Sequence, residues 1–172
     1  MMPQMRISIK TVAAAAIVTI NGACFAADGK QDIRGFTPGM TFAEAGQVAR
    51  NSESGCTYFS REVIPYGVKC DGFTLWFSQV LDGAPLMSIY MELRTTAGTP
   101  EIVQSLSDQF GKKSVELPPE NGFPTEYGWD LGGGKLLRFS PDGKRINYFS
   151  SATVQQDQEE RLRRSRVPVP KL

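Results

Sequence analysis

The sequence predicts an α+β protein made of two α-β-β-β units, each an antiparallel meander sheet packed by a helix, in the manner of a tandem duplication. Three observations carry this. A capped amphipathic segment is followed by strand-like runs, and the same order then restarts. Asp-Gly and Gly-Gly pairs divide the runs, which is the chemistry of hairpin turns. Hydrophobic residues make up 41% and charged residues 22% of the 172, a globular balance that excludes a collagen-like or wholly disordered chain.

The first helix opens at Thr41, where Thr41 and Glu44 have the spacing of a capping box. Phe42, Ala45, Val48 and Ala49 fall on one helical face, and Gly55 is the expected stop. Strands are expected from Glu62 to Cys70, from Phe73 to Val80 and from Leu86 to Arg94. Pro65 places the first of these at a sheet edge, and Asp71-Gly72 turns it into the second.

Thr99 caps the second helix, with Pro100 at the first helical position. Ile102, Val103, Leu106 and Phe110 form its apolar stripe, and Gly111 ends it. After a Pro-rich connection through Leu117-Pro118-Pro119, strands are expected over 125–131, 135–140 and 145–150. The caps Thr41 and Thr99 stand nearly as far apart as the stops Gly55 and Gly111, which gives half-repeats at about 32–96 and 97–151. Together these make one α+β domain over 27–151, followed by a polar and then basic tail over 152–172.

Residues 1–26 read as a signal peptide. Arg6 and Lys10 form a basic n-region, Thr11 to Ile20 an apolar core too short to span a membrane, and Cys24 to Ala26 a small-residue cleavage site. The expected product is periplasmic or secreted after cleavage near Ala26. Lipidation of Cys24 is less favoured, because Asn21 stands where that signal wants Leu or Val. Cleavage turns the formal charge of +1 into −1 and leaves two cysteines, Cys56 and Cys70. An even pair in an oxidising compartment predicts a disulfide.

The chain has no histidine, which removes the commonest general base and metal ligand. No Ser-His-Asp triad can form, and no G-x-S-x-G elbow occurs. The run from Gly128 to Lys135 lacks phosphate-loop spacing and reads as a glycine hairpin. Glu126 and Asp130 share a strand face, but a solvated face explains them better than a glycosidase pair. Asp142-Gly143 lacks the acids of a calcium loop. Neither a metal nor any other cofactor is expected, and the near-zero charge offers nothing to nucleic acid.

Alternation sends Phe73, Leu75 and Phe77 to one face, matched by Met87, Ile89, Met91 and Leu93. The other face carries Trp76, with Ser88, Tyr90 and Glu92 beside it. Packing against the other half or the C-terminal segment would be usual for a tryptophan. If open, Trp76 and Tyr90 form a partner-binding aromatic patch. The C-terminal tail, with Arg161, Arg163, Arg164, Arg166 and Lys171, reads as a frayed or partly helical solvated segment. Its functional alternative is a basic arm in weak contact with anionic lipid or an acidic partner.

The stretch from Asp32 to Thr41, continuing to Glu44, resembles the G-M-[ST]-x-x-E helix opening of the SmpA/OmlA (BamE) family, whose helices lead into a three-stranded sheet. Beta-lactamase-inhibitor-like proteins use comparable helix-plus-sheet repeats in tandem. The resemblance covers about residues 32–50 and implies a non-enzymatic envelope protein that works through contacts. The expected function is a protein-interaction or adaptor module with an envelope protein partner. The alternatives are an inhibitor of a secreted hydrolase and a module that binds cell-wall glycan.

Overall fold

A computed structural model describes residues 31–57, 64–119 and 124–166. The signal peptide, the first residues of the strand expected from Glu62, and Lys171 lie outside the described residues. The described chain is mixed α+β, with three helices and a single seven-stranded antiparallel sheet. The first half contributes α1 (Phe42–Asn51), β1 (Gly67–Cys70), β2 (Phe73–Phe77) and β3 (Leu86–Glu92). The second contributes α2 (Thr99–Phe110), β4 (Val115–Leu117), β5 (Glu126–Gly132), β6 (Lys135–Ser140) and β7 (Arg145–Ser150), and α3 (Ser151–Ser165) follows.

The strand order is β1-β2-β3-β7-β6-β5-β4. Each half folds as a meander, and the two last strands meet, with Ile89 opposite Tyr148 and Met91 opposite Ile146. Pairing carries one buried row across the sheet: Val68, Leu75, Ile89, Tyr148, Leu137 and Trp129. Both α1 and α2 pack on this face. Ala45 of α1 and Ile102, Leu106 and Phe110 of α2 join residues of every strand but β4 in one core cluster. The halves therefore share a core. Each fully buried Leu, Ile or Phe in it contributes about 1.5–3 kcal/mol relative to exposure.

Local chemistry explains most boundaries. Thr41 accepts from the Glu44 N–H at 3.2 Å, and the Glu44 carboxylate accepts from the Thr41 N–H at 2.8 Å, so the capping box forms. Gly111 ends α2 in the left-handed conformation, at φ 62°. The tyrosine hydroxyl of Tyr148 donates to the Gln31 carbonyl at 2.8 Å, tying the segment before α1 to the sheet centre.

Five expectations need correction. α1 stops at Asn51 with an extended Ser52, and Gly55 serves the following loop instead. Gly98, not Thr99, is the N-cap of α2, and no side chain caps it. β2 ends at Phe77 because the Ser78 hydroxyl accepts from the Val80 and Leu81 N–H groups and turns the chain. The register shifts after Trp76, so Leu86 takes the core position opposite Phe77 that alternation assigned to Met87. The Pro-rich connection holds β4, which makes the second half four-stranded.

A shared core predicts a single unfolding transition. The variants Trp76→Phe and Trp129→Phe each leave one tryptophan, in the second and first half respectively, as a fluorescence reporter. Both reporters should give the same urea midpoint, and Leu137→Ala should lower both together at a cost of about 2–5 kcal/mol. Separate midpoints would mean that the halves unfold independently.

Candidate functional site

The sheet face away from α1 and α2 is built by the alternate residues. One register row runs Gly67, Trp76, Ser88, Phe149, Leu136 and Asp130. The next runs Lys69, Thr74, Tyr90, Asn147, Arg138 and Gly128. Trp76 is half-buried, and its ring lies so close over Gly67 that a Cβ there would stand 2.8 Å from it. Any side chain at Gly67 would therefore displace the indole as it stands. Tyr66, 44% exposed, packs on the Trp76 ring with centroids 5.1 Å apart. Across the sheet, the Arg138 guanidinium sits 5.5 Å from the Phe149 ring centre.

Tyr90 stands one row from Trp76 and one strand away, also half-buried. Its hydroxyl donates to the Glu92 carboxylate at 3.1 Å. Burial, then that bond, raises the Tyr90 pKa. Trp76 and Tyr90 therefore occupy one face, as the alternation requires. The face also gathers Tyr66 and Phe149, which the sequence reading missed. Phe149 was legible from the alternation in β7, whereas Tyr66 precedes its strand and carries no periodic signal.

Of the four arginines, Arg161, Arg163 and Arg164 lie in α3 and Arg166 is its C-cap; the segment is helical through Ser165, the partly helical form of the expectation and not the frayed one. Three of them pair with acids of the same helix. The Arg161 guanidinium bonds the Asp157 carboxylate at 2.5 Å, while Arg163 and Arg164 both reach Glu160, at 2.6 and 2.7 Å. Arg166 caps the helix through its backbone N–H. This pairing spends much of the positive charge that a basic arm would present.

α3 is seated by polar groups. Only Thr153 and Asp157 of its residues are buried. Ser150 caps it, accepting from the Thr153 N–H at 3.2 Å. The Ser78 hydroxyl donates to Asp157 at 2.6 Å, and Arg164 donates to the Val80 carbonyl at 2.6 Å. These bonds place α3 against the chain just after β2, with Ser78 two residues past Trp76. Burial raises the Asp157 carboxyl, but the bonds from Arg161 and Ser78 outweigh it and leave the pKa below the ordinary carboxylate value. The bonds from Arg163 and Arg164 hold Glu160 at about 2.

The residues weighed for catalysis have local partners. Asp130 accepts from the Gly132 N–H at 2.9 Å within its hairpin, and Glu126 is held by Ser140 and lies 4.0 Å from Arg138. Gly132, Gly133 and Gly134 all take positive φ in the β5–β6 turn, the geometry of a glycine hairpin. Among the described residues, no three of His, Cys, Asp and Glu come together as a metal site, and no helix is long and apolar enough to cross a membrane.

The geometry thus defines an α+β protein whose central sheet presents an aromatic and polar outer face flanked by a polar helix. No protein-family model, curated protein or solved structure matches the chain.

The α3 seat is predicted to be acid-labile. Both carboxyls titrate lower when folded, so their contribution is complete above the unfolded value and is lost as pH falls through the folded one. For Glu160 this window runs from 4.5 down to about 2. The protection factors of α3 amides, corrected for the intrinsic exchange rate at each pH, should therefore fall across that window before those of the sheet. In Asp157→Asn or Ser78→Ala the lower protection should already be present at neutral pH. Unchanged exchange in both variants would remove the Ser78–Asp157 contact as the anchor.

Proposed function

We propose that this chain is a non-catalytic, exported protein of the bacterial envelope that acts as a protein-interaction or adaptor module. The observation that carries the reading is the aromatic outer face: half-buried Trp76 and Tyr90 with exposed Tyr66 on a rigid sheet. Tryptophan and tyrosine held in one conformation bring large contact area at low entropic cost, which is why they dominate binding hot spots. The glycine beneath Trp76 and the ring of Tyr66 beside it fix the indole before a partner arrives.

Export rests on the basic n-region, the short apolar core and the small-residue site before Ala27. A non-catalytic role rests on the missing histidine and on the local bonds that occupy Glu126 and Asp130. The resemblance of residues 32–50 to the SmpA/OmlA (BamE) opening points the same way. In this reading α3 borders the face, and its paired arginines contribute shape and hydrogen bonds more than net charge.

The mature protein, immobilised, should retain a stoichiometric partner from envelope extract, and the purified partner should bind directly. Trp76→Ala should weaken that binding by tenfold or more, the effect of losing a hot spot of about 2 kcal/mol. Arg163→Ala should leave it nearly unchanged. Retention on peptidoglycan that Trp76→Ala abolishes would replace the protein partner with a glycan. Capture of a hydrolase through its active-site cleft would instead make the chain an inhibitor.

A further inference from the structure

The two ends of the sheet are protected by different means. β4, at one end, has three residues, with Lys112 and Lys113 before it and Pro118 and Pro119 after it. Short length, lysine and proline are the usual devices that stop an edge strand from pairing with another chain. β1, at the other end, is also short, at four residues, and has Lys69 within it and Pro65 just before it, but it carries a further device. Its edge is covered by the segment that follows α1.

Two backbone bonds hold that cover: the Thr57 N–H donates to the Lys69 carbonyl at 3.3 Å, and the Asp71 N–H to the Ser54 carbonyl at 3.0 Å. Two bonds on a loop of no regular structure are a weak clasp. The Cys56–Cys70 disulfide joins the cover covalently to the last residue of the strand. Gly55 completes the fit, because its φ of 61° disfavours other residues and a Cβ there would stand 2.2 Å from the Asp71 carboxyl and push it aside.

We propose that the Cys56–Cys70 bridge is a redox-controlled edge guard, and that opening it frees β1 to pair with β1 of a second copy of this chain. A dithiol reductant opens it by two thiol–disulfide exchanges. The Cys56–Cys70 S–S bond breaks, each cysteine sulfur ends as a thiol with one proton, and the reductant's two sulfurs join in a disulfide. Two electrons pass to the protein.

Geometry favours a second copy as the occupant. In an antiparallel strand the N–H and C=O of one residue point to the same side, and the Thr57 bond shows that those of Lys69 point outward. Two residues earlier, Gly67 shares that orientation. A two-fold pairing centred on Val68 then sets Lys69 of each copy opposite Gly67 of the other, with both outward groups exchanged. No like charges face each other, and the short strand gains a matched partner.

The test compares the oxidised protein, the protein in excess dithiol, and the Cys56→Ser/Cys70→Ser double variant, by sedimentation across a concentration series. Hydrogen exchange over residues 67–70 and far-UV circular dichroism accompany it. The oxidised chain should be monomeric. The reduced and double-variant chains should keep their fold and dimerise, with amide protection of residues 67–70 rising with concentration. Lys69→Pro removes an outward donor from each copy and should weaken the dimer roughly tenfold or more. Three results would overturn the proposal: reduced chains that stay monomeric, a dimer indifferent to Lys69→Pro, or loss of the fold on reduction, which would make the bridge a requirement for folding and not a guard.

Discussion

The pairing of β3 with β7 is the constraint on which the rest of the molecule depends. Without it, each half is a helix with a meander, and each must bury one sheet face with few residues. A core of that size is marginal, because small domains hide too little of their surface. By joining last strand to last strand, the chain places Ile89 against Tyr148 and Met91 against Ile146, and two half-cores become one.

This junction also decides which face of the sheet the helices α1 and α2 leave uncovered. Both amphipathic helices lie on one face, so the other face is left to whatever the alternate residues provide. They provide a mixture of aromatic rings, hydroxyls, an amide and balanced charges, which suits contact with a partner better than a further layer of core. Trp76 is the extreme member. Its ring is supported by Gly67 below and Tyr66 beside it, so it keeps a fixed position while remaining part-exposed. A tryptophan buried for stability alone would look like Trp129, which is 1% exposed and gives its indole N–H to Ser107 at 3.0 Å.

Legibility in the sequence followed the strength of local signals. The capping box at Thr41 and Glu44, the turn at Asp71-Gly72, the glycine hairpin and the last two strands could be read because each depends on neighbours in the chain. β4 could not, since three residues between lysines and prolines carry no period and pair only because β5 lies beside them. The bulge that exchanged Met87 for Leu86 is likewise a product of pairing and not of composition. The face of Trp76 and Tyr90 was legible from alternation alone. Its neighbours from outside the strands were not, because Tyr66 reaches the face by tertiary packing. The arginines were visible as charge, but their partners Asp157 and Glu160 were hidden in a run that reads as solvated.

α3 shows the limit of hydrophobic patterning most clearly. It has no apolar stripe, and its two buried residues are Thr153 and Asp157. Apolar burial is non-directional and would let a helix slide or roll, whereas a buried carboxylate has few acceptable partners. Asp157 loses hydration when it is covered, and only Ser78 and Arg161 at hydrogen-bond distance offset that loss. A helix seated this way gains little stability but has one position, because any shift would strand the carboxylate. The Ser78 hydroxyl that anchors it is the same group that ends β2, so the turn and the helix are fixed by a single side chain. That coupling holds α3 against the end of β2, where Ser78 stands two residues past Trp76, and makes the border of the outer face as well defined as its aromatic centre.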